Sequence, residues 1–174
     1  HTDGTSLESM IRGEVDPDRT SKWNWESLRS VNFLLAHISD AEGDESEIKH
    51  YEALGRFFRA LFYWNQVKTF GDVPWYDKVL NTNDVEDLYK PRDSREMVMD
   101  KVLEDLIYAV ENTKIVDDRT YLSKYPVAAL AARIALYEGT FRKYQTDLNL
   151  SSGEKYLEKA VEWSKLIMDD SRFE

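Results

Sequence analysis

The chain of 174 residues contains no cysteine, which excludes a disulfide framework and any thiolate-ligated metal. Histidine is scarce as well: His1, His37 and His50 are the three present, their spacing fits no metal-ligand pattern, and no HExxH motif occurs. Seven glycines are too scattered to form a phosphate-cradling loop, and no serine stands with a histidine in a nucleophile motif. No apolar run reaches the roughly 18 residues that a membrane-spanning helix needs. Positive charge is in deficit, with 23 Lys and Arg against 33 Asp and Glu and a net charge of −10. The basic residues are interleaved with acidic ones, so no phosphate-tracking patch forms and a nucleic-acid role is disfavoured. With so many carboxylates, pairs arise by chance, and none stands in a catalytic constellation. The chain reads as a non-enzyme that uses no cofactor and no metal.

What remains is globular: 42% of the chain is apolar and 13% of the chain is aromatic, enough for one domain with a real core. The organising stretch is Tyr51 to Phe70, closed by Gly71-Asp72-Val73-Pro74. On a 3.6-residue wheel Leu54, Phe57, Phe58, Leu61, Phe62 and Trp64 share a broad face with Ala53, Ala60 and Val67. Glu52, Arg56, Arg59 and Gln66 gather on the narrow remainder. An arc that wide predicts a helix packed on two sides, with Leu61 at its middle. Gly71 supplies the left-handed stop and Pro74 blocks a restart.

Around it the pattern predicts four more helices. Residues 1–20 read as loop with a short turn near Leu7 to Ile11. From about Ser21, Trp25, Leu28, Val31, Leu35 and Ile38 recur at helical steps, with Asn32 near that face as a satisfied helix–helix hydrogen bond. Asp40, Glu42 and Asp44 imitate the start of a calcium loop, but Glu45 and Tyr51 occupy the positions that require Gly and Glu, so 40–47 reads as a solvated linker. Residues 72–92 read as irregular. Asp93 to Glu96 resembles a capping box for a helix over 94–113, Ser123 caps one over 124–145 with Pro126 in its first turn, and Ser151 to Glu154 resembles a capping box for one over 153–169. The pairs 51–70 with 94–113 and 124–145 with 153–169 form antiparallel hairpins, and most acids fall opposite the apolar stripes, on faces expected to be exposed.

Leu54-Gly55-x-x-Phe58 and Tyr156-Leu157-Glu158-Lys159-Ala160 resemble helices of the tetratricopeptide repeat. More specifically, Gly55-Arg56-Phe57-Phe58-Arg59-Ala60-Leu61-Phe62-Tyr63-Trp64 followed by Phe70-Gly71-Asp72-Val73-Pro74 resembles the signature block of the SusD/RagB family. Three further blocks follow the same order: Trp25 to Leu35, Pro91 to Ala109, and Arg133 to Tyr144, the last with Tyr125-Pro126 in place of the usual small pair before its alanines. The resemblance spans about residues 23–174 and implies an all-α fold, a tetratricopeptide-like (SusD-like) array of antiparallel hairpins. It also implies non-catalytic binding of a glycan or other nutrient at the outer-membrane surface of Bacteroidota, with delivery to a SusC-like TonB-dependent transporter. Family members are longer and lipid-anchored, so residues 1–174 are expected to be one helical N-terminal domain of a longer protein whose membrane contact is an anchor outside this chain. The alternative is a tetratricopeptide-like adaptor that binds a protein or peptide partner.

Sugars stack on aromatic rings, and most rings here, including Phe57, Phe58, Phe62, Tyr137 and Trp163, fall on helical stripes expected to be core. Trp23, Trp75 and Tyr76 fall in loops, where binding residues concentrate, and are the candidates for ligand or partner contact. Of the adjacent pair Trp75 and Tyr76, either both rings fold back to seal the hairpin of 51–70 and 94–113, or one anchors the loop and the other faces a partner. The resemblance also places family ligand contacts in an upstream loop, here Thr2 to Met10 without an aromatic, and in a C-terminal half. Weak glycan binding is therefore expected of this chain alone.

Overall fold

The computed structural model describes residues 11–13, 22–118 and 120–173. The expected turn at Leu7 to Ile11 and the Thr2–Met10 segment lie outside these, apart from Ile11. Six α-helices run through the described residues: α1 (Glu26–His37), α2 (Glu45–Phe70), α3 (Val85–Leu88), α4 (Arg95–Asn112), α5 (Lys124–Tyr144) and α6 (Glu154–Met168). The fold is all-α; α2 pairs with α4 and α5 with α6, as the stripes predict, while α1 lies along α2 and α4 joins the two hairpins. Among the described residues a single antiparallel bridge, Val73 to Asp93, stands apart from the helices.

Helix α2 begins six residues earlier than its apolar stripe. Part of the stretch read as a solvated linker is helical because Asp44 accepts the Ser46 amide at 2.7 Å as N-cap, and Glu45 pairs with Lys49 one turn on at 2.6 Å. Glu47 reaches across to Lys114, and the buried His50 accepts the Lys114 amide through Nδ1 at 3.1 Å. The helix ends at Gly71 with φ 72°, its amide bonded to the Val67 carbonyl.

Ala53, Phe57, Ala60, Tyr63, Trp64 and Val67 are buried, but the wheel's polar strip is not a solvent face. Arg59 and Gln66 are buried too. The Arg59 guanidinium forks onto Asp105 of α4, Nε to Oδ2 at 2.7 Å and Nη2 to Oδ1 at 2.8 Å, so the supposed outer edge is the seam of the first hairpin. Burial raises the Asp105 carboxyl above its ordinary value even though Arg59 opposes it. Conversely Leu61 is half-buried and Phe58 is 46% exposed. The apolar arc is wider than its neighbours cover, and the expectation of full packing at these two positions is corrected.

The expected caps are also rearranged. Ser94, not Asp93, caps α4 by accepting the Met97 amide, while Asp93 accepts the Trp75 amide at 2.7 Å and Glu96 accepts the Ser151 amide at 3.1 Å. Ser123 flanks α5 as expected but its hydroxyl accepts the Val116 amide. Gly153 precedes α6, and Ser152, not Ser151, accepts the Glu154 amide. Asp93, Ser123 and Ser151 each accept from a donor outside their helix's first turn, Ser151 from Arg142 at 2.8 Å. Pro126 sits in the first turn of α5, where its missing N–H would have no intrahelical partner in any event.

The second hairpin closes at very short range. Ala128, Ala131, Ala132 and Ala135 are buried, and a Cβ placed on Gly153 would lie 2.5 Å from the Gly139 carbonyl oxygen, backbone against backbone. Above this contact, Glu138 (0% exposed) accepts from Arg95 of α4 at 2.5 Å and from Arg142 at 2.9 Å. Arg142 continues to Asp100 at 3.0 Å, and the Tyr156 hydroxyl of α6 donates to the same carboxylate at 2.6 Å. This network joins three helices, and Asp105 and Glu138 are among the most buried polar groups, exceptions to the exposed faces expected of most acids.

Gly153 has an ordinary negative φ of −81°, so substitution there is penalised by contact and not by backbone strain. Gly153→Ala should destabilise by about 1–3 kcal/mol, because neither backbone can yield cheaply. Gly55→Ala, whose Cβ meets side-chain atoms alone, Leu35 at 2.8 Å and Leu34 at 3.4 Å, should cost less. Urea unfolding of both variants checks the order; equal midpoints would contradict the backbone contact.

Candidate functional site: a cleft between α1 and the connection to α4

The connection over residues 71–94 has little beyond the single turn of α3 and the Val73–Asp93 bridge to satisfy its own backbone, so many of its amides and carbonyls need partners elsewhere. Side chains from the helices supply them. The Tyr76 amide donates to the buried Tyr63 hydroxyl at 2.5 Å, and that hydroxyl donates to the Tyr76 carbonyl at 3.2 Å. Asn32 of α1 donates its amide hydrogens to the carbonyls of Tyr76 at 2.9 Å and Lys78 at 3.2 Å. Arg29, one turn earlier, donates to the Leu80 carbonyl at 2.5 Å. Lys90 bonds the Trp75 carbonyl at 2.6 Å and Asp93 at 2.8 Å. Burial pushes the Tyr63 phenol far above its ordinary value, so the hydroxyl keeps its proton.

Held off α1 in this way, the connection leaves a cleft of about 850 Å³, within the range of small-molecule sites. Trp23, Trp25 and Tyr76 give it aromatic walls, and Arg29, Asn32 and Arg92 supply polar edges. Trp23 meets Trp25 and Phe70 edge-on at 5.1 and 4.9 Å, and the Arg92 guanidinium lies over the Trp23 ring at 5.2 Å. Lys78 is paired with Asp87 at 2.5 Å, and Lys90 with Asp93. Although burial opposes it, the Lys90 contact and the Trp75 amide hold the Asp93 carboxyl below its usual range.

The structure brings two of the three expected residues together: Trp23 and Tyr76 line the same cleft, both half-buried. Trp75 goes elsewhere. It is 8% exposed and stacked on Tyr63 with centroids 4.2 Å apart, which assigns its ring to the core. Asn32 is buried as expected, yet it bonds a loop and not a helix, and its Oδ1 has no partner among the described residues. Trp25, Arg29 and Arg92 join the cleft without having been expected there. Trp25, Arg29 and Asn32 lie at i, i+4 and i+7, a legible stripe that runs from the residue before α1 onto the helix; nothing in the sequence flags Arg92.

An all-helical array of tetratricopeptide-like hairpins with an aromatic cleft beside its first helix defines the class. A SusD-like family described as "Starch-binding associating with outer membrane" matches residues 10–145, and the chain belongs to that family. SusD-like protein P38 of Formosa agariphila is 26% identical over 171 residues, 94% of this chain and 33% of its own length. SusD-like protein P25 of the same organism is 30% identical over 134 residues, 72% of this chain and 24% of its own. Among solved structures, a laminarin-binding SusD-like protein aligns with TM-score 0.68 and 25% identity over 81% of this chain and 32% of its own. A SusD superfamily protein from Parabacteroides distasonis has the same fold, with TM-score 0.76 and 23% identity over 98% of this chain and 36% of its own. The chain thus spans about a quarter to a third of the length of these relatives.

Since Trp75 is core and Trp23 is cleft wall, their truncations should differ. Trp75→Ala should cost about 3–5 kcal/mol of stability, and Trp23→Ala clearly less. Thermal melts of the two variants check this; a larger loss at Trp23 would reverse the assignment.

Proposed function

We propose that this chain is the helical N-terminal part of a non-catalytic binding protein of the outer-membrane surface, lipid-anchored in its full length, which captures a glycan or other nutrient for a SusC-like TonB-dependent transporter. The family match over residues 10–145 carries this reading. The laminarin-binding relative of like fold and the aromatic walls of the cleft support the glycan side of it, since flat C–H faces of sugar rings stack on indole and phenol. Trp23 and Tyr76 are the proposed contacts; Trp75 supports them from the core. The hairpins serve as scaffold and as a surface for the transporter.

Affinity purification of the full-length protein from outer membranes tests the reading. It should bring a TonB-dependent transporter in near-equal amounts, and the purified protein should retain at least one oligosaccharide of a panel without cleaving it. Recovery without a transporter, with a peptide held in place of a sugar, would favour the adaptor alternative and contradict the proposal.

A further inference from the structure

Charge in the cleft runs against charge in the chain. The molecule carries −10 overall, yet four cations line the cleft, Arg29, Lys78, Lys90 and Arg92, against one carboxylate, Glu26. Lys78 and Lys90 are neutralised by Asp87 and Asp93. Arg29 and Arg92 have no carboxylate within ion-pair distance among the described residues; Arg29 holds a carbonyl and Arg92 rests on Trp23. A guanidinium has five N–H donors, so both retain donors for an anion. Asn32, lining the same cleft, is 1% exposed, spends its amide hydrogens on two carbonyls and leaves Oδ1 without a partner among the described residues. A buried acceptor without a donor costs stability until a hydroxyl or N–H arrives.

We propose that this cleft is a site for an acidic saccharide: Arg29 and Arg92 take its anionic substituent, a carboxylate or sulfate ester, while the ring lies against the aromatic wall and one hydroxyl donates to Asn32. The inference rests on the glycan-binding reading and narrows it to a class of ligand. The planar donor fork of arginine matches both oxyanions in two-point contact, which a neutral sugar cannot offer. The acidic surface elsewhere repels such a ligand, so the cleft is where its charge is accommodated.

Titration calorimetry of the full-length protein tests this with oligogalacturonate, a sulfated galactan oligosaccharide, a neutral laminari-oligosaccharide and poly-glutamate. At least one anionic saccharide should bind, more weakly as NaCl rises from about 0.05 to about 0.5 M. Arg92→Gln and Arg29→Gln should each weaken it roughly tenfold, and Arg133→Gln, at an exposed cation outside the cleft, should not. Arg92 is exposed, and its guanidinium lies over the Trp23 ring with no ion pair among the described residues, so its variant should keep the wild-type melting temperature; if it does not, Arg92→Lys, retaining charge but not the fork, should still weaken binding. Binding of the neutral sugar alone, or anionic binding indifferent to both arginines, overturns the inference and leaves the proposed function standing. Binding of no saccharide overturns both, and poly-glutamate bound as tightly as the sugars would point to an acidic peptide instead.

Discussion

One hydroxyl organises the functional half of this molecule. Tyr63 lies in the middle of α2, fully buried, and its phenol both accepts the amide and donates to the carbonyl of Tyr76. No ladder exists to hold the 71–94 connection, and an amide buried without a partner costs about 1–3 kcal/mol. The same ring stacks on Trp75, so one side chain fixes both members of the adjacent aromatic pair, one inward and one toward the cleft. Asn32 and Arg29 complete the attachment from α1. The cleft is the space left because these three side chains reach the connection at one end and leave the rest of it standing off the helix.

The remainder of the fold gives Tyr63 a rigid place to stand. α2 cannot turn against α4 without breaking the fork between Arg59 and Asp105, and separating a buried pair would strand a charge in a poorly solvated seam. The second hairpin is registered by the contact of Gly139 with Gly153 and by the Glu138 network, which reaches α4 through Arg95. Buried ion pairs are weak sources of net stability compared with apolar packing. Their contribution here is geometric: each couples one helix to a defined turn of the next.

Much of this is legible in the sequence. The stripes of α4, α5 and α6 have the ordinary helical period, and the Gly71 stop is local chemistry, so the hairpin pairing followed from pattern alone. What was illegible depends on partners distant in sequence. Arg59 and Gln66 have the composition of a solvent face until Asp105 and the Lys22 carbonyl meet them. Asp93 and Glu96 look like caps until Trp75 and Ser151 claim them. Leu61 and Phe58 look like core because apolarity shows which face can be buried, not how much of it neighbours cover. Of the cleft, Trp23 and Tyr76 were legible as loop aromatics, whereas Arg92 becomes relevant only because the connection folds back beside Trp23.

The central claim is that the Tyr63 hydroxyl holds the connection in place and thereby makes the cleft. Amide hydrogen exchange on Tyr63→Phe, which keeps the ring and its stacking, tests it most directly. The account predicts much faster exchange for amides of the connection around residues 75–80, with protection in α4, α5 and α6 unchanged. Wild-type protection throughout the connection would contradict it, as would a loss of protection spread evenly over all the helices.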